Sequence, residues 1–152
     1  MADLHVVMVT PEIHWNTGNA GRTCLAVGAQ LHLVAPLGFS LDDREVRRAG
    51  LDYWPRVAPR LWPDWAAFER ALSGLGTPFF FAAASPRSFQ SVRYQRPAVL
   101  IFGPESVGLP REILDRHRDA VVGIPMLDPE LRSLNVSTCV GIAAYEVRRQ
   151  WG

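Results

Sequence analysis

The segment Pro97–Phe102 reads PAVLIF and decides the fold class. Five consecutive apolar residues without polar alternation are typical of a strand that is buried on both faces. A second such segment, Pro78–Ala84, reads PFFFAAA. Segments with helical periodicity flank both, and strands that alternate with helices form a mostly parallel sheet with helices on both faces. The sequence therefore predicts an α/β fold.

The remaining elements continue this alternation. Further strands are predicted at His5–Thr10, Leu31–Ala35 and Ala120–Ile124. Tyr53–Ala58 is at most an edge strand, because Pro55 lacks the N–H that a central strand needs. A loop at Pro11–Gly18 precedes the first of five predicted helices, which are Asn19–Ala29, Leu41–Ala49, Trp62–Leu72, Leu109–His117 and Leu134–Gln150. With no internal repeat or linker, we expect a single domain over residues 1–152.

The composition of the chain narrows the class of protein. Its 152 residues are 48% hydrophobic, yet no window approaches the roughly 18 to 20 apolar residues of a membrane span. The N-terminus carries Asp3 and no basic cluster, which is unlike a signal peptide, so we expect a cytoplasmic protein. Cys24 and Cys139 have no second cysteine nearby, so buried thiols are expected rather than a metal or redox centre.

The charge is nearly balanced, but the basic residues are all of one type. The net charge is +1, and all 16 basic residues are Arg. Genomic base composition can explain the absence of Lys, although Arg also makes better planar, bidentate contacts with phosphate. A role in RNA binding stays open if the positive charge is concentrated locally.

Three irregular segments leave strands at the edge where open parallel sheets bind ligands. The first, Pro11–Arg22, reads PEIHWNTGNAGR and passes through an Asn/Gly turn into a helix. A helix N-terminus offers backbone N–H groups to phosphate, and Arg22 lies about one turn inside that helix. An ordinary turn followed by a surface Arg is the alternative interpretation.

The second segment, Phe102–Pro110, reads FGPESVGLP. Gly103 allows a close approach between backbone and ligand, and Glu105 places a charge on a rigid turn. The segment is not a GxGxxG loop, and without Lys it contains no Walker motif. A tight strand-to-helix connection is the alternative.

The third segment, Ile124–Glu146, reads IPMLDPELRSLNVSTCVGIAAYE. It presents Arg132, Ser133 and Asn135 just before an apolar helix. Either Ser133 or Asn135 can be the N-cap of that helix. A cap explains one of these residues but not the whole polar cluster.

In this order, the three segments resemble the motifs of the SPOUT class, the trefoil-knotted RNA methyltransferases that use S-adenosylmethionine. The sequence RRAGLDY at Arg47–Tyr53 is similar to that of the small subfamily that methylates the ribose 2′-oxygen of the wobble nucleotide (C34/U34) in tRNA. The resemblance spans nearly the whole chain. It departs at His14–Trp15 and at Leu127–Leu131.

The resemblance implies an enzyme with a C-terminal trefoil knot, S-adenosylmethionine as cofactor and no metal. The cofactor is expected in the knotted loops, which by similarity contain Phe81, Gly103, Ile124, Ser133 and Leu134. The RNA is expected to contact Asn16, Asn19, Arg48 and Tyr145, although a half-buried helical role is the alternative for Tyr145.

By the same resemblance, Arg22 is the expected catalytic residue, with Glu105, Ser133 and Asn135 orienting the groups around it. A guanidinium stays protonated in proteins, so we expect Arg22 to hold the RNA phosphate and to stabilise charge on the 2′-oxygen. The proton then leaves through phosphate or water.

The partners implied by the resemblance are tRNA and a second copy of the chain. A homodimer would combine two sets of basic residues into one face, from Arg44, Arg47, Arg48, Arg56 and Arg60. Three alternatives remain open: the same chemistry on another tRNA or rRNA site, a catalytically silent knotted RNA-binding assembly factor, and a flavodoxin-like nucleotide-binding domain. The last lacks a phosphate loop.

Overall fold

The computed structural model describes residues 2–48 and 50–152 and contains a six-stranded parallel sheet. The strand order is β3-β2-β1-β5-β4-β6, and every pair of neighbours is parallel. The strands are β1 (Leu4–Val9), β2 (Gln30–Val34), β3 (Arg60–Trp62), β4 (Thr77–Phe81), β5 (Ala98–Phe102) and β6 (Val121–Val122). The helices are α1 (His14–Val27), α2 (Asp43–Arg48), α3 (Trp54–Val57), α4 (Trp65–Leu75), α5 (Arg111–Arg116) and α6 (Val136–Trp151), with a 3₁₀ turn at Arg118–Ala120.

The core has one layer on each face of the sheet, which confirms the predicted α/β class. Successive side chains of a strand point to opposite faces. In β5, Leu100 packs with α1 and α6, whereas Val99 and Ile101 pack with α4 and α5. All residues of β1 and β5 are buried, as expected for strands covered on both sides.

The edge of the sheet next to β2 differs from the prediction. Residues 54–57 form the short helix α3 and not an edge strand, and the strand that follows is β3. The helix predicted from Trp62 begins at Trp65 instead. Asp64 sets that start, because its side chain caps the helix by accepting a hydrogen bond from the Ala67 N–H at 2.8 Å.

Helix α1 begins at His14, five residues before the predicted start at Asn19. Its N-cap residue, Ile13, has no side chain that can cap the helix. The backbone N–H groups of Glu12 and Ile13 donate instead to the carboxylate of Glu105, at 2.8 and 2.9 Å. The capping group therefore comes from another part of the chain, where a local signal could not reveal it.

The remaining helices lie close to their predicted positions. α2 covers the interior of the predicted Leu41–Ala49 helix, whose last residue lies outside the described residues. α6 begins two residues after the predicted Leu134. Across residues 2–48 and 50–152, no helix combines the length and apolar character required to cross a membrane.

Candidate functional site

A cavity of about 560 Å³ opens at the carboxyl edge of the sheet, beside β4 and β5. Segments from all three predicted motifs line it, together with residues that follow β4. Eight of the predicted site residues are among those that line it: Asn16, Phe81, Gly103, Glu105, Ile124, Ser133, Leu134 and Asn135. Four others, Asn19, Arg22, Arg48 and Tyr145, are not.

Gly103 allows the loops around this cavity to approach one another closely. A Cβ atom at this position would lie 2.2 Å from the backbone nitrogen of Leu109 and 2.4 Å from the carbonyl carbon of Gly108. Neither atom belongs to a flexible side chain that could move aside. Only glycine therefore fits where the loop after β5 folds back on itself.

Two glutamates fasten that loop to the start of α1. Besides the two backbone N–H groups, the Glu105 carboxylate accepts a hydrogen bond from Asn16 Nδ2 at 3.2 Å. In return, the Glu12 carboxylate accepts hydrogen bonds from the Ser106 backbone N–H at 2.8 Å and the Ser106 hydroxyl at 3.0 Å. These two bonds from Ser106 lower the pKa of Glu12. The first and second motifs are thus held together from both sides.

Asn135 joins the third motif to the same network. Its Oδ1 accepts from the Ser137 and Thr138 backbone N–H groups, at 2.9 and 3.3 Å, so Asn135 and not Ser133 is the N-cap of α6. Its Nδ2 donates to Asn16 Oδ1 at 3.0 Å. Asn16, with 3% of its surface exposed, therefore connects Glu105 to Asn135.

Asn19 and Tyr145 are exposed on α1 and α6 and do not line the cavity. On α1, Trp15, Asn19, Arg22 and Ala26 are exposed, and on α6 Thr138, Ile142, Tyr145 and Arg149 are exposed. Both sets follow the spacing i, i+4, i+7, i+11, which places each on one side of its helix. The helices are neighbours, and Asn19 Nδ2 donates to Ser137 Oγ at 3.0 Å. We call these eight residues the α1/α6 face.

Arg22 lies on the α1/α6 face and is not among the residues that line the cavity. Its guanidinium lies 5.6 Å from the centre of the Tyr53 ring, whose hydroxyl donates to the Gly18 carbonyl at 2.9 Å. Arg22 follows Asn16 by six positions, which is about 9 Å along a helix. Arg48, which is also outside the cavity, is exposed and pairs with Glu45 at 3.4 Å.

Arg132 and Cys139 are among the lining residues that were not predicted as site residues. Arg132 donates a hydrogen bond from Nη2 to the Ser106 carbonyl and so connects the second and third motifs. Its position beside Ser133 in the third motif is the signal that could have identified it. Cys139 lines the cavity from α6, where burial raises the pKa of its thiol to about 11, so that it stays protonated at neutral pH.

Comparisons with known proteins agree with this fold. A model of the family described as "SpoU rRNA Methylase family" matches residues 3–145. A protein of Aeromonas hydrophila named tRNA (cytidine(34)-2′-O)-methyltransferase is 42% identical, over 98% of this chain and 95% of its own length.

Two solved structures have the same fold. One, described as giving structural insights into the 2-OH methylation of C/U34 on tRNA, has a TM-score of 0.90 and 47% identity, and the match covers 99% of this chain and 97% of the other. The second is an AdoMet-bound rRNA methyltransferase from Sinorhizobium meliloti, with a TM-score of 0.80 and 26% identity over 97% of this chain and 56% of the other. Because the family model matches nearly every residue and the fold agrees throughout, the chain belongs to the SpoU rRNA methylase family.

Proposed function

We propose that this protein transfers a methyl group from S-adenosylmethionine to the ribose 2′-OH of the wobble nucleotide 34 of tRNA. The observation that carries the proposal is the junction of the three motifs at one cavity, through the Glu105–Asn16–Asn135 network. Relatives that share 42 and 47% of their residues, over nearly the whole chain, are named or described for methylation of this nucleotide.

The cavity suits the proposed cofactor in size and chemistry. Its volume of about 560 Å³ lies within the roughly 300 to 1,000 Å³ that is usual for sites of this kind. Phe81, Phe102, Leu109 and Ile124 provide apolar walls for an adenine ring, and the loops packed around Gly103 bring backbone polar groups close to it. When bound, S-adenosylmethionine supplies an electrophilic methyl group on its sulfonium.

The residues around the cavity are proposed to orient the reactants. Glu105 and Asn135 both hold Asn16 and so fix the first turn of α1 beside the cavity. Ser133 is exposed at the cavity, where it can contact S-adenosylmethionine or the RNA. Arg22 is proposed to hold the RNA phosphate and to stabilise negative charge on the 2′-oxygen as the hydroxyl loses its proton to phosphate or water.

A homodimer is proposed because Arg22 does not line the cavity of its own subunit. The α1/α6 face carries Arg22 together with exposed apolar surface at Trp15, Ile142 and Tyr145. An exposed apolar patch of this kind is typical of an interaction site. If two copies pack through this face about a two-fold axis, Arg22 of each subunit approaches the cavity of the other.

Complementation tests whether Arg22 acts on the other subunit. The experiment mixes Arg22→Ala protein with Gly103→Ala protein and allows the two to exchange subunits. Each variant is first shown to dimerise and to be inactive alone. If Arg22 acts across the interface, each heterodimer has one intact site and activity returns to about a quarter of the wild-type value. Activity that stays at background would instead place Arg22 and the cavity of one subunit in the same site.

Recognition of tRNA is proposed to use the exposed arginines near α2 and α3. Arg44, Arg47, Arg48 and Arg56 are exposed on this part of the chain, and two copies would double the basic surface. Binding through phosphates should weaken steeply with salt. A tRNA substrate is also the reason to infer that the protein acts in the cytoplasm.

A C-terminal trefoil knot is proposed for the segment that links β6 to α6. Gly123 bonds to the loop after β4 on both sides, through its N–H to the Arg87 carbonyl and its carbonyl to the Phe89 N–H, at 2.8 and 2.9 Å. A Cβ at Gly123 would lie 2.8 Å from the Ala82 carbonyl oxygen, so the two segments pass very close together. A crystal structure would test the knot, and a backbone trace that can be pulled straight would contradict it.

The direct test of the proposed function is methylation of total tRNA with labelled S-adenosylmethionine, followed by nuclease digestion and mapping of the labelled nucleotide. The expected product is 2′-O-methylated C34 or U34. Label at another tRNA position, or in rRNA offered in parallel, would support the same chemistry on another substrate. RNA binding without any methyl transfer would indicate a silent RNA-binding factor.

A further inference from the structure

Arg132 is the single cationic side chain among the described residues that line the cavity. Glu105 is the other charged residue there, and both of its carboxylate oxygens already accept hydrogen bonds from the start of α1. An anionic group that enters the cavity therefore meets one positive charge from this subunit, that of Arg132.

The guanidinium of Arg132 is held at the cavity, but it is not neutralised. Its one hydrogen bond within the described chain runs from Nη2 to the Ser106 carbonyl, and Ser106 is itself tied to the Glu12 carboxylate. No carboxylate of residues 2–48 or 50–152 whose side chain is described lies within 4.0 Å of the guanidinium. Arg132 is thus positioned by a neutral acceptor and keeps its charge available.

The planar geometry of an arginine side chain makes it well suited to bind an oxyanion. A guanidinium has five N–H donors in one plane and can bind a carboxylate or a phosphate through two of them at once. One donor of Arg132 is engaged at Ser106, which leaves the others for a ligand. Asp128 and Glu130 are exposed on the same loop and would repel an anion, so an anion in this place depends on Arg132.

We propose that Arg132 receives an oxyanion at the cavity and positions the ligand that carries it. The oxyanion is either the carboxylate of S-adenosylmethionine or a phosphate of the bound RNA, which present the same chemistry to the guanidinium. The inference rests on the proposed function, and it assigns to Arg132 a positioning role separate from that of Arg22.

The test compares Arg132→Ala and Arg132→Lys with Arg93→Ala as a matched control. Arg93 is exposed, lies outside the residues that line the cavity, and makes no hydrogen bond to any other described side chain or backbone group, so its loss changes the net charge equally. Calorimetry without RNA measures binding of S-adenosylmethionine, of S-adenosylhomocysteine and of methylthioadenosine, which lacks the amino-acid carboxylate. Steady-state kinetics then measure KM and kcat for tRNA at several salt concentrations.

The two sources of the oxyanion give different results. If Arg132 binds the cofactor carboxylate, Arg132→Ala weakens binding of both carboxylate-bearing ligands by about 10- to 100-fold and leaves methylthioadenosine unchanged. If it binds phosphate, cofactor affinity is unchanged, KM for tRNA rises with little change in kcat, and the salt dependence falls by about one released counterion. Arg132→Lys keeps the charge without the planar fork and should show a smaller loss.

The proposal is overturned if Arg132→Ala matches Arg93→Ala in all of these constants. It is also overturned if Arg132→Ala weakens binding of methylthioadenosine as much as binding of S-adenosylmethionine, because that result would indicate a merely structural contact with Ser106. Circular dichroism establishes that each variant is folded. If the wild-type protein binds S-adenosylmethionine but does not methylate nucleotide 34, the proposed function fails while the binding measurements still test Arg132.

Discussion

The side-chain amide of Asn135 donates a hydrogen bond to Asn16 Oδ1 at 3.0 Å, across a separation of 119 positions. The same Asn135 caps α6 through its Oδ1, and the same Asn16 donates to Glu105. One residue pair therefore joins the starts of α1 and α6 at the edge of the cavity.

Removal of the Asn135 side chain should destabilise the protein. Asn135→Ala loses the cap of α6 and the bond to Asn16, and loss of an N-cap alone costs about 0.5 to 2 kcal/mol of unfolding free energy. Urea denaturation measures the loss. Ser133→Ala is the control, because the Ser133 side chain makes no hydrogen bond to the described chain, and its stability should equal that of the wild type. Equal stability of both variants would contradict the role of Asn135 as cap.

Glu105→Gln tests whether a full carboxylate is needed to hold the start of α1. Both oxygens of Glu105 face donors, and an amide would turn an NH₂ group toward one of them. A buried or half-buried hydrogen bond to a charged group contributes about 1.5 to 3 kcal/mol, and a loss of that order is expected in denaturant titrations. Glu112→Gln, on the exposed side of α5, should change stability by less than about 0.5 kcal/mol. If both substitutions change the free energy of unfolding by a similar amount, the hydrogen bonds of the Glu105 carboxylate do not stabilise the start of α1.

Gly103→Ala should displace the loop after β5 and weaken cofactor binding by more than tenfold in calorimetry. The new methyl group would lie 2.2 Å from the Leu109 backbone nitrogen, and the loop must move to admit it. Gly74→Ala is a matched control, since a Cβ at Gly74 in α4 has no neighbour within 4 Å among the described residues. The control should raise stability by roughly 0.5 to 1 kcal/mol, because alanine favours a helix more than glycine does. If Gly103→Ala binds the proposed cofactor with wild-type affinity, the close packing of position 103 against the Leu109 backbone does not shape the site.

Acid should destabilise the protein through a buried histidine pair. Trp62 Nε1 donates to His32 Nδ1 at 3.1 Å, so His32 carries its proton on Nε2 and donates to His5 Nδ1 at 2.9 Å. Burial lowers the pKa of His32 from 6.5 to about 3, with the nearby charges of His5 and Arg60 contributing.

Because the folded pKa of His32 is lowered, the unfolded chain binds the proton first as pH falls. The contribution of neutral His32 to the free energy of unfolding is fully present above about pH 6.5. It is lost as the pH falls from there to about 3, by up to roughly 1.4 kcal/mol per pH unit for one group. Chemical denaturation at several pH values measures this slope. His32→Leu should reduce it even though the variant starts less stable, and His14→Gln, at an exposed histidine, should keep it. An unchanged slope in His32→Leu would assign the acid sensitivity to other groups.

Ile142→Glu should break the proposed dimer. Ile142 lies in the middle of the exposed residues of α6, where a two-fold interface would bring two new carboxylates together in an apolar setting. Sedimentation at micromolar concentration should give a monomer, with loss of methyl transfer but little loss of cofactor binding. Ala66→Glu adds the same charge to the exposed side of α4 and should leave the oligomeric state unchanged. A dimer that survives Ile142→Glu would place the interface elsewhere.

The fold class was predictable from a few segments, and their boundaries less so. The apolar run Pro97–Phe102 became β5 with a shift of one residue, because a strand buried on both faces has an unambiguous composition. In contrast, the three residues of β3 were missed, since a short edge strand with exposed Arg60 and Leu61 has no such signature. Eight of the residues that line the cavity were among the predicted site residues. The capping of α1 by Glu105 was not predicted, because the two groups are 92 to 93 positions apart.

By itself, the sequence determined the parallel α/β sheet and the three segments that meet at its carboxyl edge. Both follow from local properties, namely continuous apolar strands and polar turns directly after them. Only the tertiary structure decided which polar groups bind one another. Asn16 and Glu105 connect the first two motifs at the cavity, and Arg132 is the cationic side chain among the described residues that line it. Arg22 lies instead on the α1/α6 face. The reason is physical: periodicity in a sequence records which side of an element is buried, whereas the partner of a hydrogen bond is chosen by segments that become neighbours only when the sheet has formed.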